Sequence, residues 1–151
     1  MRLTLLLILL NISTSDNDLQ IIRALYLSAH STESNCNNFG EKLASIEDSK
    51  STLINGYQGC FYFIKCKFIN NPIEKFSYFN KGKELLEAAI KQDPESAELR
   101  FLRFSIQKNI PSFLLYNNLE KDLNFLNENI TNINNKDVQE FIVESLKSMK
   151  R

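Results

Sequence analysis

Histidine is almost missing from this chain: His30 is the only one in 151 residues. Cysteine is little better represented, with Cys36, Cys60 and Cys66 and no C-x-x-C pair. A structural zinc site draws on closely spaced pairs of such ligands, so no metal centre is expected. Cys60 and Cys66, six apart on one predicted helix, stand roughly 9 Å apart along its axis. That exceeds the ~7 Å Cα limit for a disulfide. Either of them is free in principle to meet Cys36, but an odd count at irregular spacing is no disulfide framework, and three thiols packed as small hydrophobes is the simpler reading. Glycine and proline are scarce, four and three, which argues against an all-β fold built on tight turns. Neither sign of charge is in excess, with 18 basic and 18 acidic residues and a formal net charge of zero. Without a basic patch, nucleic acid is set aside as a partner. No apolar run approaches the ~20 residues of a membrane-spanning helix, so no stable span is expected in the mature chain. No nucleophile sits beside a base: Ser28 and His30, two apart on a helix, point to different faces. The carboxylates are scattered over helix faces. An enzyme is not expected, nor a cofactor.

What is present is a foldable chain. Hydrophobic residues make up 43%, and a helical domain of this length buries on the order of two-thirds of its unfolded surface. Residues 1–15 read as a signal peptide: Arg2 supplies the positive end, 3–10 are apolar except Thr4, and Ser13 and Ser15 are small residues suited to cleavage before Asp16. The alternative is an ordinary buried first helix. The signal reading implies export to the periplasm or beyond, leaving a single domain over 16–151. Asn129-Ile130-Thr131 matches a glycosylation sequon, a short and weak signal.

About seven helices are expected, hence an all-α fold of antiparallel hairpins. The first covers 16–29, with Leu19, Ile22, Tyr26 and Ala29 on one face and Asp18 as a cap. Residues 31–40 read as a polar turn before a weaker second helix over 41–48, with a start near Glu33 as the alternative. Ser51 caps a third helix over 52–70, apolar around most of its circumference and therefore central and buried. Gly56 and Gly59, about one turn apart, let a neighbouring helix come close. Asn71 and Pro72 end that helix and start a fourth over 72–92. Asp93-Pro94 breaks the chain before a fifth over 95–108, followed by a sixth over 119–128 and a last over 136–149.

The stretch from Lys83 to Arg100, with Gly82, Ala89 and Pro94 at the spacing of the small, small and proline positions, resembles the junction between tetratricopeptide repeats. Upstream, Gly59 and Tyr62 resemble the small and tyrosine positions of a helix A, although their distance from Gly82 exceeds one repeat. No second copy follows Pro111. The resemblance covers about a fifth of the chain and implies a degenerate tetratricopeptide-like protein. The segment from Leu99 to Tyr116, with its run Arg100-Phe101-Leu102-Arg103-Phe104, is also similar to small exported helical proteins of bacteria, which implies a fold and no activity.

Helical hairpin stacks make surfaces that hold a partner segment, so a protein- or peptide-binding module is the first functional expectation. Its candidate face is Arg100, Arg103 and Gln107, one stripe at spacings of three and four on the fifth helix. In the tetratricopeptide-like register this stripe lines the concave surface, where guanidiniums suit a carboxylate-bearing peptide. The competing reading pairs these arginines with internal carboxylates such as Glu98 or Asp122. A second function class is a small-molecule carrier or enzyme accessory protein whose cavity is lined by Tyr57, Phe61, Tyr62 and Phe68; plain core is the competing reading of those aromatics.

Overall fold

The computed structural model describes residues 16–46 and 51–150. The signal peptide expected over 1–15 lies outside the described residues, as do Asp48 and Arg151. The described residues are all-α, with no strand: α1 (Asp16–Ala29), α2 (Glu33–Ala44), α3 (Thr52–Lys65), α4 (Pro72–Gln92), α5 (Ala97–Asn109), α6 (Leu119–Asn129) and α7 (Lys136–Ser148). Short 3-10 turns at Cys66–Phe68, Ser112–Leu114 and Ile130–Asn132 link them.

Side-chain caps set most of the starts. Ser51 accepts from the Ile54 amide, Asn71 from Ile73 and Glu74, Ser96 from Leu99, and Asn135 from Asp137 and Val138. Each satisfies amides that have no partner inside the helix. Four boundaries differ from expectation by two residues or more. α2 runs from Glu33, the alternative start, to Ala44 and not over 41–48, because Thr32 caps it and Cys36, Phe39 and Leu43 form a buried stripe hidden among asparagines. α3 stops at Lys65, where the chain tightens into a 3-10 turn. α5 starts at Ala97, one place after its Ser96 cap.

Paired contacts give the packing directions. On α3 and α4, Gly56 faces Ala89, Gly59 faces Gly82, and Phe63 faces Phe79. One number rises as the other falls, so the helices are antiparallel. A Cβ placed on Gly59 would stand 2.9 Å from the Gly82 carbonyl oxygen and 2.9 Å from the Leu86 amide nitrogen. Only the absence of a side chain permits that approach. α5 and α6 are antiparallel by the same logic: Arg103 meets Asp122 and Gln107 meets Asn118. α1 and α2 pair through Asp18 and Lys42, Tyr26 and Phe39.

α5 is the axis of the molecule. From Glu98 to Gln107 every residue except Arg100 is buried. Arg23 of α1 and Tyr57 of α3 reach it at Glu98, Glu87 of α4 and Asp122 of α6 at Arg103, and Phe141 of α7 at Phe101. α3, expected to be the central helix, is also in the interior but leaves Phe61, Tyr62 and Ile64 only half-buried.

Candidate functional site

The predicted binding stripe is turned inward. Arg103 is 3% exposed and grips Asp122 with two bonds, Nε to Oδ2 at 2.7 Å and Nη2 to Oδ1 at 2.6 Å. Its Nη1 reaches both Glu87 oxygens at 3.0 and 2.9 Å. Burial disfavours the Arg103 cation, but the bonds and charges of Asp122 and Glu87 outweigh this and raise its pKa. Arg100 donates to Asp122 at 3.3 Å and to the Pro94 carbonyl, and its guanidinium covers the Phe125 ring. Gln107 exchanges two bonds with Asn118, donating to its side chain and accepting from its amide. All three side chains are thus occupied in the seam between α5 and α6. Asp122, wholly buried, is the counter-charge that draws in the two arginines, and such a charge stays buried only when paired. Glu98, the other carboxylate considered for these arginines, instead holds Arg23 at 2.8 and 2.9 Å and accepts from Tyr57 at 2.5 Å.

Of the aromatics proposed as a cavity lining, Tyr57, Phe61 and Tyr62 are packing residues, and Phe68 lies under the Lys67 ammonium. Tyr57 is wholly buried between Tyr26 and Phe39, and Phe61 packs on Phe39 and Tyr62. None of Tyr57, Phe61, Tyr62 and Phe68 lines either of the two cavities described below. Burial, and then the charge of Glu98, push the Tyr57 phenol well above its ordinary pKa; burial does the same for Tyr26, whose hydroxyl bonds to that of Ser105. All three cysteines are free: Cys36 and Cys60 are buried and Cys66 is half-buried. Burial raises the Cys66 thiol to about 11, although Lys75 pulls the other way. His30 follows α1, and its carbonyl accepts from Lys67 at 2.7 Å. The sequon residue Asn129 spends its amide on the Phe125 carbonyl.

A different site emerges where the helices end. The glycine contact between α3 and α4 gives way toward the α4 N-terminus to the bulky pair Phe63 and Phe79, ring centroids 5.3 Å apart. α5 stops at Asn109, and Ile110-Pro111 turn the chain into the 3-10 turn at Ser112–Leu114. These four walls border a half-open cavity of about 510 Å³. Its interior is made by Phe63, Ile64, Phe79, Ile106, Ile110 and Leu114, and its lip by Phe76 and Phe113. Phe76 is 60% and Phe113 77% exposed, with Ile73 at 82% and Leu115 at 87% nearby in sequence. Ile73 lies one turn before Phe76 and so shares its helix face. Leu115 takes the left-handed backbone (φ 52°), costly for a residue with a Cβ. The turn returns the chain so that Tyr116 stacks on Phe63 and donates to Glu87 at 2.6 Å.

A second cavity of about 530 Å³ adjoins the first and shares His30, Ile64, Lys67, Ile106 and Asn109 with it. Among those common residues, Lys67 donates to the His30 carbonyl. The second chamber is more polar, with Ser105, Ser145 and Ser148 among its walls.

No group of histidine, cysteine and carboxylate residues suited to a metal is found among the described residues, and no described helix is long and apolar enough to cross a membrane. Neither a family model, nor a curated protein, nor a solved structure matches the chain. The cavity went unread in the sequence. The signals that point to it are the apolar pair Ile73 and Phe76 on the first turns of α4, and the run Phe113-Leu114-Leu115 in a connecting segment.

Proposed function

We propose that the protein is a binding protein that holds a small apolar molecule in the cavity between α3, α4, α5 and the 3-10 turn at Ser112–Leu114. The observation that carries this reading is an apolar space of about 510 Å³ with exposed phenylalanines at its mouth. Ligand pockets run to roughly 300–1,000 Å³ with mainly apolar and aromatic walls, and this one opens to solvent between Phe76 and Phe113. Cys66 lies in the wall and supplies the assay. Dodecan-1-ol is expected to slow maleimide labelling of Cys66 at pH 8.5, and purified protein is expected to carry extra mass under native conditions. No protection by the alcohol, together with a bare native mass, would refute the reading.

A protein- or peptide-binding module is the second reading. It is favoured by one observation: Phe76, Ile73, Phe113 and Leu115 extend apolar surface beyond the cavity itself. The tetratricopeptide-like character of α3 to α5 belongs to that reading, supported by the close approach of Gly59 to Gly82 and of Gly56 to Ala89. Export, with a mature chain starting near Asp16, is part of the proposal as well; N-terminal sequencing of the native protein tests it.

A further inference from the structure

The cavity is not electrically neutral at its edge. Lys67 and Lys75 are both exposed and both contribute to its wall, as does His30, and no aspartate or glutamate does. Lys67 is committed in part, since its ammonium donates to the His30 carbonyl. Lys75 makes no side-chain hydrogen bond or ion pair among the described residues, unlike Lys42 and Lys65, which hold Asp18 and Glu33. Its neighbours on the α4 surface, three and four residues away, are Asn71, Pro72, Tyr78 and Phe79, none of them acidic. The adjacent Glu74 is one residue away, on a different face, and is not part of the cavity. In a chain of zero formal net charge, an apolar chamber bordered by cations alone is a local segregation of charge.

From this arrangement we infer that the ligand is a single-chain amphiphile with a carboxylate head, its chain buried among Phe63, Phe79, Ile106 and Leu114 and its head at the rim beside Lys75. The inference rests on the proposed function and names the class of molecule that site takes. The division of labour follows from the chemistry of the two parts. Burial of the chain supplies affinity, about fourfold for each methylene removed from water. The head keeps most of its hydration at the rim, so its charge is never moved into the apolar interior, where it would be strongly disfavoured. An ammonium at the surface adds only a modest attraction that salt weakens. Selection by charge is therefore expected to be real but small compared with selection by chain length.

The test compares three probes that share one chain, dodecanoate, dodecan-1-ol and dodecylammonium, each below its micellar concentration. Affinities are measured by calorimetry on the full chain, for wild type, Lys75→Glu and Lys91→Glu. Lys91 is exposed near the other end of α4, away from the cavity. Lys75→Glu is expected to weaken dodecanoate about fivefold, leave dodecan-1-ol unchanged and tighten dodecylammonium, while Lys91→Glu changes none of them. Equal effects of Lys75→Glu on all three probes, or no effect on any, overturn the carboxylate inference while leaving an apolar-ligand site standing. Failure of all three to bind wild type removes the binding site and the inference with it. Sedimentation with vesicles of anionic phospholipid, without uptake of dodecanoate, overturns the inference in favour of a membrane surface.

Discussion

Replacing Asp122 with alanine is the sharpest perturbation of this fold. Its carboxylate is wholly buried and takes two short bonds from Arg103 and a third from Arg100. Removing one partner of a buried pair costs about 3–5 kcal/mol, because the other charge is left uncompensated. Here the loss is toward the lower end. Glu87 still holds Arg103 from the other side, and the Glu87 side chain is 38% exposed, so water reaches that part of the network. Arg100 keeps its bonds to the Pro94 carbonyl and its place over Phe125. We expect a destabilisation of about 3 kcal/mol, a large fraction of the ~5–15 kcal/mol available to a domain. With a urea slope of ~1–3 kcal/mol/M, the midpoint falls by about 1–3 M. Equilibrium unfolding in urea, followed by far-ultraviolet circular dichroism, measures it. The double replacement Asp122→Leu with Arg103→Met is expected to recover most of the loss, since exchanging both charges for apolar groups is often neutral or better. A midpoint for Asp122→Ala within experimental error of wild type would refute the argument, and would mean that Arg100 and Arg103 face solvent and are open to a partner.

Gly59→Ala sets a methyl against backbone atoms of α4 at 2.9 Å and is expected to cost at least about 1–3 kcal/mol, read as a lowered melting temperature; an unchanged value would show that the helices are further apart. Stability is expected to fall steeply above about pH 10. Tyr26, Tyr57 and Tyr116 have raised pKa values in the folded chain; each contribution is complete below the unfolded value of ~10 and is lost as pH rises towards the folded one, at about 1.4 kcal/mol per pH unit per group. Urea midpoints from pH 8 to 11 check this, and a flat profile would contradict the buried phenols. Labelling of Cys66 is expected to rise about tenfold per pH unit between pH 8 and 10, because only the thiolate reacts and its pKa is about 11; a plateau by pH 9 would place the thiol in open solvent.

The sequence by itself determined the elements whose causes are local. Ser51, Asn71 and Pro72 act on amides two or three residues away, and the starts of α3 and α4 were legible for that reason. The small residues Gly59, Gly82 and Ala89 likewise announced a close helix contact, because only a missing side chain allows one. α2 was harder to read, since Cys36, Phe39 and Leu43 are three buried positions spread among polar residues that cover its outer face. Tertiary structure alone decided the fate of Arg100, Arg103 and Gln107. Their spacing marks a single helix face, but a polar face turned to water and one turned to a buried carboxylate have the same period. Asp122 on α6 and Asn118 at its N-terminal cap settle which it is, and their pairing depends on how two helices pack. The cavity is further still from the sequence. Its walls come from α3, α4, α5 and a connecting turn, and its volume is what remains when rigid helices of unequal length stop short of one another. Local periodicity reports which side of one helix is apolar; an empty space is a property of several helices together.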